Sequence, residues 1–170
     1  MKPKMLYHGS DKLVKDYLKP ILLKDKSEDY IHSKAAVFAT ERLDLAALFI
    51  LPQSVLSSIG FEKNIAYVCI WGKSDNPSLK KSGFIYVLPA KTFQKIGKDY
   101  EWQSFEPVKP LEIKKFKSAI NGMMACGVQV YFIEDEEIFD EITVRKSRVQ
   151  LLKKLISENQ KRDTNIKEFK

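Results

Sequence analysis

Apolar positions along the chain group into short runs that predict strands more often than helices. Runs rich in β-branched and aromatic residues cover 65–71, 84–88 and 128–133. Shorter apolar runs lie at 5–8 and 35–39. Each run has the length of a strand, and turn-forming or polar residues separate it from the next. The pattern therefore favours a domain that is built on β-sheets.

Helical spacing of apolar residues occurs in fewer places. It predicts a helix over 41–50, capped by Thr40, and another over 115–126, ended by Gly127. A short helix is also expected over 52–59, before Gly60. Strands and helices do not alternate as βαβ units would. The order predicts an α+β fold with a largely antiparallel sheet and flanking helices.

Composition narrows the class of protein. The chain has 170 residues, of which 44% are hydrophobic and 30% charged, as expected for one globular domain. The apolar stretch 45–51 is too short to cross a bilayer, and the first residues lack the apolar run of a secretory signal. The two cysteines do not form a disulfide framework. We therefore expect a cytoplasmic protein with reduced thiols and no membrane partner.

The positive charge is concentrated at one end of the chain. Of the net charge of +7, residues 145–170 contribute +6. This divides the chain into a domain at 1–144 and a basic segment at 145–170, with an amphipathic helix near 149–156. Clustered lysines and arginines can neutralise phosphates, so nucleic-acid binding by 145–170 is a rival hypothesis, beside that of a solvated helix. The acidic run 134–141 is interpreted as solvated surface, not as a metal site.

One short motif combines groups that can do chemistry. His8 ends a predicted strand and is followed by Gly9, so an imidazole and accessible backbone groups occur together. A structural or merely exposed histidine is the other interpretation of the same pattern. The sequence has no Walker loop, nucleophile elbow or dinucleotide-binding glycine motif. His8 and His32 lack the close spacing of a zinc site, so no metal is expected.

The motif also carries a resemblance to a known family. Tyr-His-Gly-Ser at 7–10, followed by Val-Phe-Ala-Thr at 37–40, resembles the diphtheria-toxin and poly(ADP-ribose)-polymerase branch of the ADP-ribosyltransferases. Segments 83–89 and 104–111 are similar to parts of the small bacterial rifampin ADP-ribosyltransferases. The resemblance covers about residues 5–113. It implies a split, largely antiparallel sheet with a His-Tyr-Glu triad on three strands.

The resemblance assigns roles to the residues of both motifs. It implies that His8 holds a ribose 2′-hydroxyl of NAD, and that the backbone of Gly9 binds the nicotinamide amide, next to Ser10. The position of the family tyrosine falls on Val37, because Phe38 matches the aromatic residue that follows it. This chain therefore departs from the family at the ring that stacks on nicotinamide.

The remaining parts of the implied site come from two other segments. On the helix behind the second strand, the second family aromatic falls near Leu48 or Phe49, and Phe49 would restore one stacking face. The family glutamate falls on Glu101, with Glu106 as the alternative. The implied activity is cleavage of the nicotinamide–ribose bond of NAD, with transfer of ADP-ribose to a protein, nucleic-acid or small-molecule acceptor. A non-catalytic member of the same fold is the alternative.

Overall fold

The computed structural model describes residues 2–22, 34–97, 100–144, 152 and 166–169. Within these residues the chain forms ten strands and three α-helices. The strands are β1 (Met5–Ser10), β2 (Val37–Thr40), β3 (Ser57–Glu62), β4 (Ile65–Trp71), β5 (Gly83–Pro89), β6 (Gln94–Lys95), β7 (Glu101–Ser104), β8 (Glu112–Phe116), β9 (Gln129–Ile133) and β10 (Ile166–Phe169). The helices are α1 (Leu43–Ala47), α2 (Ala119–Ala125) and α3 (Glu136–Val144).

The strands form two sheets. The first has six strands in the order β6-β7-β2-β1-β5-β8, and every neighbouring pair is antiparallel. The second has four strands in the order β10-β9-β4-β3, in which only β4 and β9 run parallel. The chain enters the second sheet at β3 and β4, crosses to the first sheet, and returns at β9. The predicted α+β class with mostly antiparallel sheets is confirmed.

The short helix expected over 52–59 is wrong, because Ser57–Glu62 forms β3 and pairs with β4. Lys63 and Asn64 both adopt left-handed backbone angles, with φ of 49° and 65°. Two such residues make the tight turn that joins twisted antiparallel strands. Gly60 fits beneath a tyrosine, since a Cβ there would lie 2.3 Å from Tyr67 Oη. The glycine interpreted as a helix stop therefore serves strand packing.

The helices are shorter than the apolar spacing predicts. The first is α1 followed by a 3₁₀ turn over Leu48–Ile50. The second begins at Ala119, because Glu112–Phe116 is paired with β5 as β8. Ser118 Oγ accepts the Asn121 N–H at 3.4 Å and so caps this helix. The predicted stop at Gly127 agrees with its φ of +88°.

The basic segment predicted at 145–170 is described only in part. Most of 145–170 lies outside the described residues. Of the predicted amphipathic helix only Leu152 is described, and it is helical and buried in the core beside α3. Residues 166–169 form β10, which pairs with β9 at the edge of the second sheet. The acidic run before this segment contributes α3, where Asp135 Oδ1 accepts the Ile138 N–H at 3.1 Å. In the part of the chain that is described, no helix is long and apolar enough to span a membrane.

Three apolar cores hold the sheets together. One lies between the two sheets and combines α1, α2 and the inner faces of β4, β5 and β9. Another covers the outer face of the six-stranded sheet and includes Leu6, Val37, Tyr86 and Trp102. The third lies between α3 and the outer face of the four-stranded sheet. The two faces of the six-stranded sheet therefore have different surroundings, and this difference determines what each polar side chain can meet.

Candidate functional site

The imidazole of His8 bridges two strands at the centre of the six-stranded sheet. Its Nδ1 lies 2.7 Å from the backbone carbonyl oxygen of Phe38 on β2, while Tyr86 on β5 is its cross-strand partner. Because a carbonyl only accepts, Nδ1 carries the proton, and in the neutral ring Nε2 keeps its lone pair. Burial lowers the pKa of His8, and the hydrogen bond to Phe38 opposes this shift only in part. The neutral ring is thus favoured, with Nε2 as an acceptor.

Strand register decides which side chains share a face with His8. Tyr7 lies opposite Thr40, and Thr40 lies opposite Glu101. Directly opposed residues point to the same face, and successive residues alternate. Glu101 therefore shares the face of Tyr7, whereas His8 lies on the other face with Trp102. The register does not bring Glu101 to His8.

Glu106 lies beyond the end of β7. Its side chain is exposed, and its backbone is bound by Ser104, whose Oγ accepts the Glu106 N–H at 3.3 Å. The same hydroxyl lies 2.9 Å from Thr92 Oγ1. These contacts stabilise a bend before Pro107.

Gly9 is closely approached by another part of the protein's own backbone, on one side of the residue. A Cβ at this position would lie 1.8 Å from the carbonyl oxygen of Ala46 in α1. The helix therefore rests on Gly9, on the face opposite to His8. Ser10, the next residue, uses its Oγ to accept the Lys12 N–H at 3.1 Å.

The two positions expected to stack on nicotinamide differ in accessibility. The side chain of Val37 is 3% exposed and packs in the outer core of the six-stranded sheet. Leu48 is also buried, between the two sheets. Phe49 is 58% exposed, so of these three side chains its ring alone is available to a ligand. Phe38 contributes its carbonyl oxygen to His8.

A polar group that the motifs did not indicate lies on the His8 face. Trp102 Nε1 donates to Glu41 Oε1 at 2.8 Å, and Lys95 Nζ lies 3.8 Å from the same oxygen. The sequence pattern assigned Glu41 to the start of a helix. The missed signal was the adjacency of Glu41 to the Val-Phe-Ala-Thr motif. Across the described ranges, no group of three or more potential metal ligands occurs.

Comparison with known proteins identifies no relative. No protein-family model matches the chain, and neither a curated protein nor a solved structure matches it significantly. The function of this chain must therefore be inferred from the geometry of the site and from the sequence motifs.

Proposed function

We propose that this chain is an ADP-ribosyltransferase-like protein that binds NAD where β1 meets β2. The observation that carries the proposal is the contact of the His8 imidazole, whose Nδ1 lies 2.7 Å from the Phe38 carbonyl oxygen across these two strands. The strand order supports it further. The resemblance implies that the functional residues lie on three strands, which correspond to β1, β2 and β7. These three strands are neighbours in the six-stranded sheet, in the order β7-β2-β1.

The orientation of His8 suits the role that the resemblance implies. The Phe38 carbonyl fixes the Nδ1–H tautomer, so Nε2 can accept a hydrogen bond from a ribose 2′-hydroxyl. A protonated ring would lose this acceptor. The burial that lowers the pKa of His8 thus favours the form that can bind the sugar. Phe49 is the exposed aromatic candidate for contact with nicotinamide.

The proposed reaction breaks the bond between C1′ of the ribose and the nicotinamide nitrogen. Both bonding electrons leave with nicotinamide, which becomes neutral, and positive charge develops on the ribose. A hydroxyl of water or of an acceptor then supplies a lone pair to C1′ and releases its proton. With water, the products are ADP-ribose, nicotinamide and one proton. A carboxylate near the ribose would stabilise the developing charge.

The alternative is a protein of the same fold that binds a nucleotide without cleaving it. The register favours this alternative for one specific reason, which is that Glu101 lies on the face opposite to His8. If no other carboxylate reaches the ribose, binding would occur without the stabilisation that bond cleavage requires.

Titration with NAD and chromatographic detection of nicotinamide test both versions. We expect His8→Ala to weaken NAD binding by roughly 2- to 10-fold, the value of one lost hydrogen bond. Met5→Ala is the matched control, because Met5 is 49% exposed on the same strand. Wild-type protein that fails to bind NAD would refute the proposal. Binding without nicotinamide release would select the non-catalytic alternative.

A further inference from the structure

The register brings a different carboxylate to the face of His8. We propose that Glu41, and not Glu101, is the carboxylate that contacts the ribose of NAD and acts in bond cleavage. This inference rests on the proposed function, and it names a residue to which the sequence motifs give no role. Three observations carry it: the strand positions of Glu41 and His8, the polar partners of Glu41, and its exposure.

The strand position of Glu41 places it near His8. Tyr7 lies opposite Thr40, and this register, continued in both directions, would set His8 opposite Ala39 and Glu41 diagonal to His8 on the same face. Such neighbours lie about 7–8 Å apart, which long side chains can span. Glu41 N–H donates to the Tyr100 carbonyl at 3.3 Å. The pairing of β2 with the neighbouring strand thus continues through Glu41, and the alternation of faces continues with it.

The polar partners of Glu41 fix the direction of its carboxylate. Trp102 is 6% exposed, and its indole N–H holds Glu41 Oε1 at 2.8 Å. A buried indole has few alternative orientations, so this bond fixes the direction of the carboxylate. Lys95 Nζ lies 3.8 Å from the same oxygen. A carboxylate has two acceptor oxygens, so Glu41 can accept from Trp102 and still bind a ribose hydroxyl.

The exposure of Glu41 leaves it accessible to a ligand. Its side chain is 34% exposed, although one oxygen is anchored. The imidazole of His8 is partly buried on the same face. A ribose bound between them would meet a neutral acceptor at Nε2 of His8 and a negative charge at Glu41. The negative charge stabilises the cation that develops as nicotinamide leaves. The carboxylate can then take the proton of the attacking hydroxyl and pass it to solvent.

Glu41→Gln tests this role with little change in shape. The amide oxygen of Gln can still accept from Trp102 Nε1, whereas the negative charge is lost. We expect nicotinamide release to fall by about 10²- to 10⁴-fold. Glu101→Gln is the matched control and should release nicotinamide at the wild-type rate. Glu41→Asp should recover part of the lost rate, which would distinguish a role for the charge from a structural one.

The outcomes separate this inference from the proposed function. Wild-type release in Glu41→Gln, or a large loss in Glu101→Gln, would overturn the role of Glu41 and leave NAD cleavage standing. Wild-type protein that binds NAD without cleaving it would remove only the catalytic role. Absence of NAD binding would end both proposals. If Glu41→Gln does not fold, Trp102→Phe removes the positioning bond and should lower the release rate while NAD still binds.

Discussion

The two faces of the six-stranded sheet use their polar groups differently. On the His8 face, the imidazole is fixed by a backbone carbonyl and Glu41 by the indole of Trp102. On the opposite face, Gly9 lies against the backbone of α1, and Arg42 forms an ion pair that belongs to the same helix region. Gly9 therefore serves packing against α1, whereas His8 presents an imidazole that is held by β2.

The largest expected effect concerns the packed face. In Gly9→Ala the new Cβ would meet the Ala46 carbonyl oxygen at 1.8 Å. Because that atom belongs to a helix backbone, it cannot move as a side chain would. We expect a loss of about 3 kcal/mol or more in the free energy of unfolding, the upper range for overpacking. Urea denaturation measures it, with Met5→Ala as control. An unchanged midpoint would mean that α1 does not rest on Gly9.

The next prediction concerns the face of His8. The Tyr86 hydroxyl donates to the Lys12 carbonyl at 2.8 Å and accepts the Val14 N–H at 2.7 Å. It thereby ties the segment after β1 to the sheet beside His8. Tyr86→Phe leaves both backbone groups without this partner and should cost about 1–3 kcal/mol. Tyr17→Phe, at a residue that is 49% exposed, should cost little by the same denaturation assay. Equal costs would contradict the proposed tie.

The same contrast between local and long-range contacts explains which elements the sequence pattern predicts correctly. Strand patterns identified β1, β2, β4, β5 and β9, because alternation and β-branched residues are local signals. The α+β class followed from their order. The role of β3 did not follow, because it depends on pairing with β4 across the turn at Lys63 and Asn64. Helical spacing near residue 115 was outweighed by the pairing of β8 with β5.

The candidate site was predictable only in part for the same reason. A strand-end histidine beside a glycine is visible as a motif, so the sequence alone suggests His8 as a candidate. The partner of a side chain depends on register across strands that are distant in sequence. The resemblance indicated Glu101. Because successive residues of a strand point to opposite faces, Glu101 lies on the face opposite to that of its neighbour Trp102. Glu41 was overlooked, because only the hydrogen bond from Trp102 reveals its position.

A smaller effect is expected from the ion pair on the α1 side. Arg42 donates to both carboxylate oxygens of Asp44, at 3.0 and 2.7 Å. Its guanidinium also lies 4.7 Å from the centre of the Phe61 ring and 5.4 Å from that of Tyr100. Lysine cannot reproduce the bidentate pair or the stacking. Arg42→Lys should therefore lower the free energy of unfolding by about 1 kcal/mol at neutral pH.

The acid dependence provides the check for this pair. Burial alone would raise the pKa of Asp44, but the hydrogen bonds and charge of Arg42, with the Leu45 N–H, lower it below its usual 3.8. A lowered pKa contributes stability above pH 3.8, and this contribution is lost as the pH falls through the folded-state value. The difference between wild type and Arg42→Lys should shrink in this acid range. A constant difference down to pH 2 would assign the effect to stacking alone.

The smallest expected effect is the contribution of His8 to the pH dependence of stability. Burial lowers the pKa of His8 below 6.5 in the folded protein, so the unfolded chain binds a proton more readily. The stability that the neutral ring contributes is complete above pH 6.5 and is lost as the pH falls through the folded-state pKa. Wild type should therefore lose slightly more stability than His8→Gln between pH 7 and 5. NAD affinity should weaken only as the pH falls through the folded-state pKa of His8, because protonation removes the Nε2 acceptor. NMR titration of the imidazole locates that pH, and affinity that stays constant after the ring is protonated would place the ribose elsewhere.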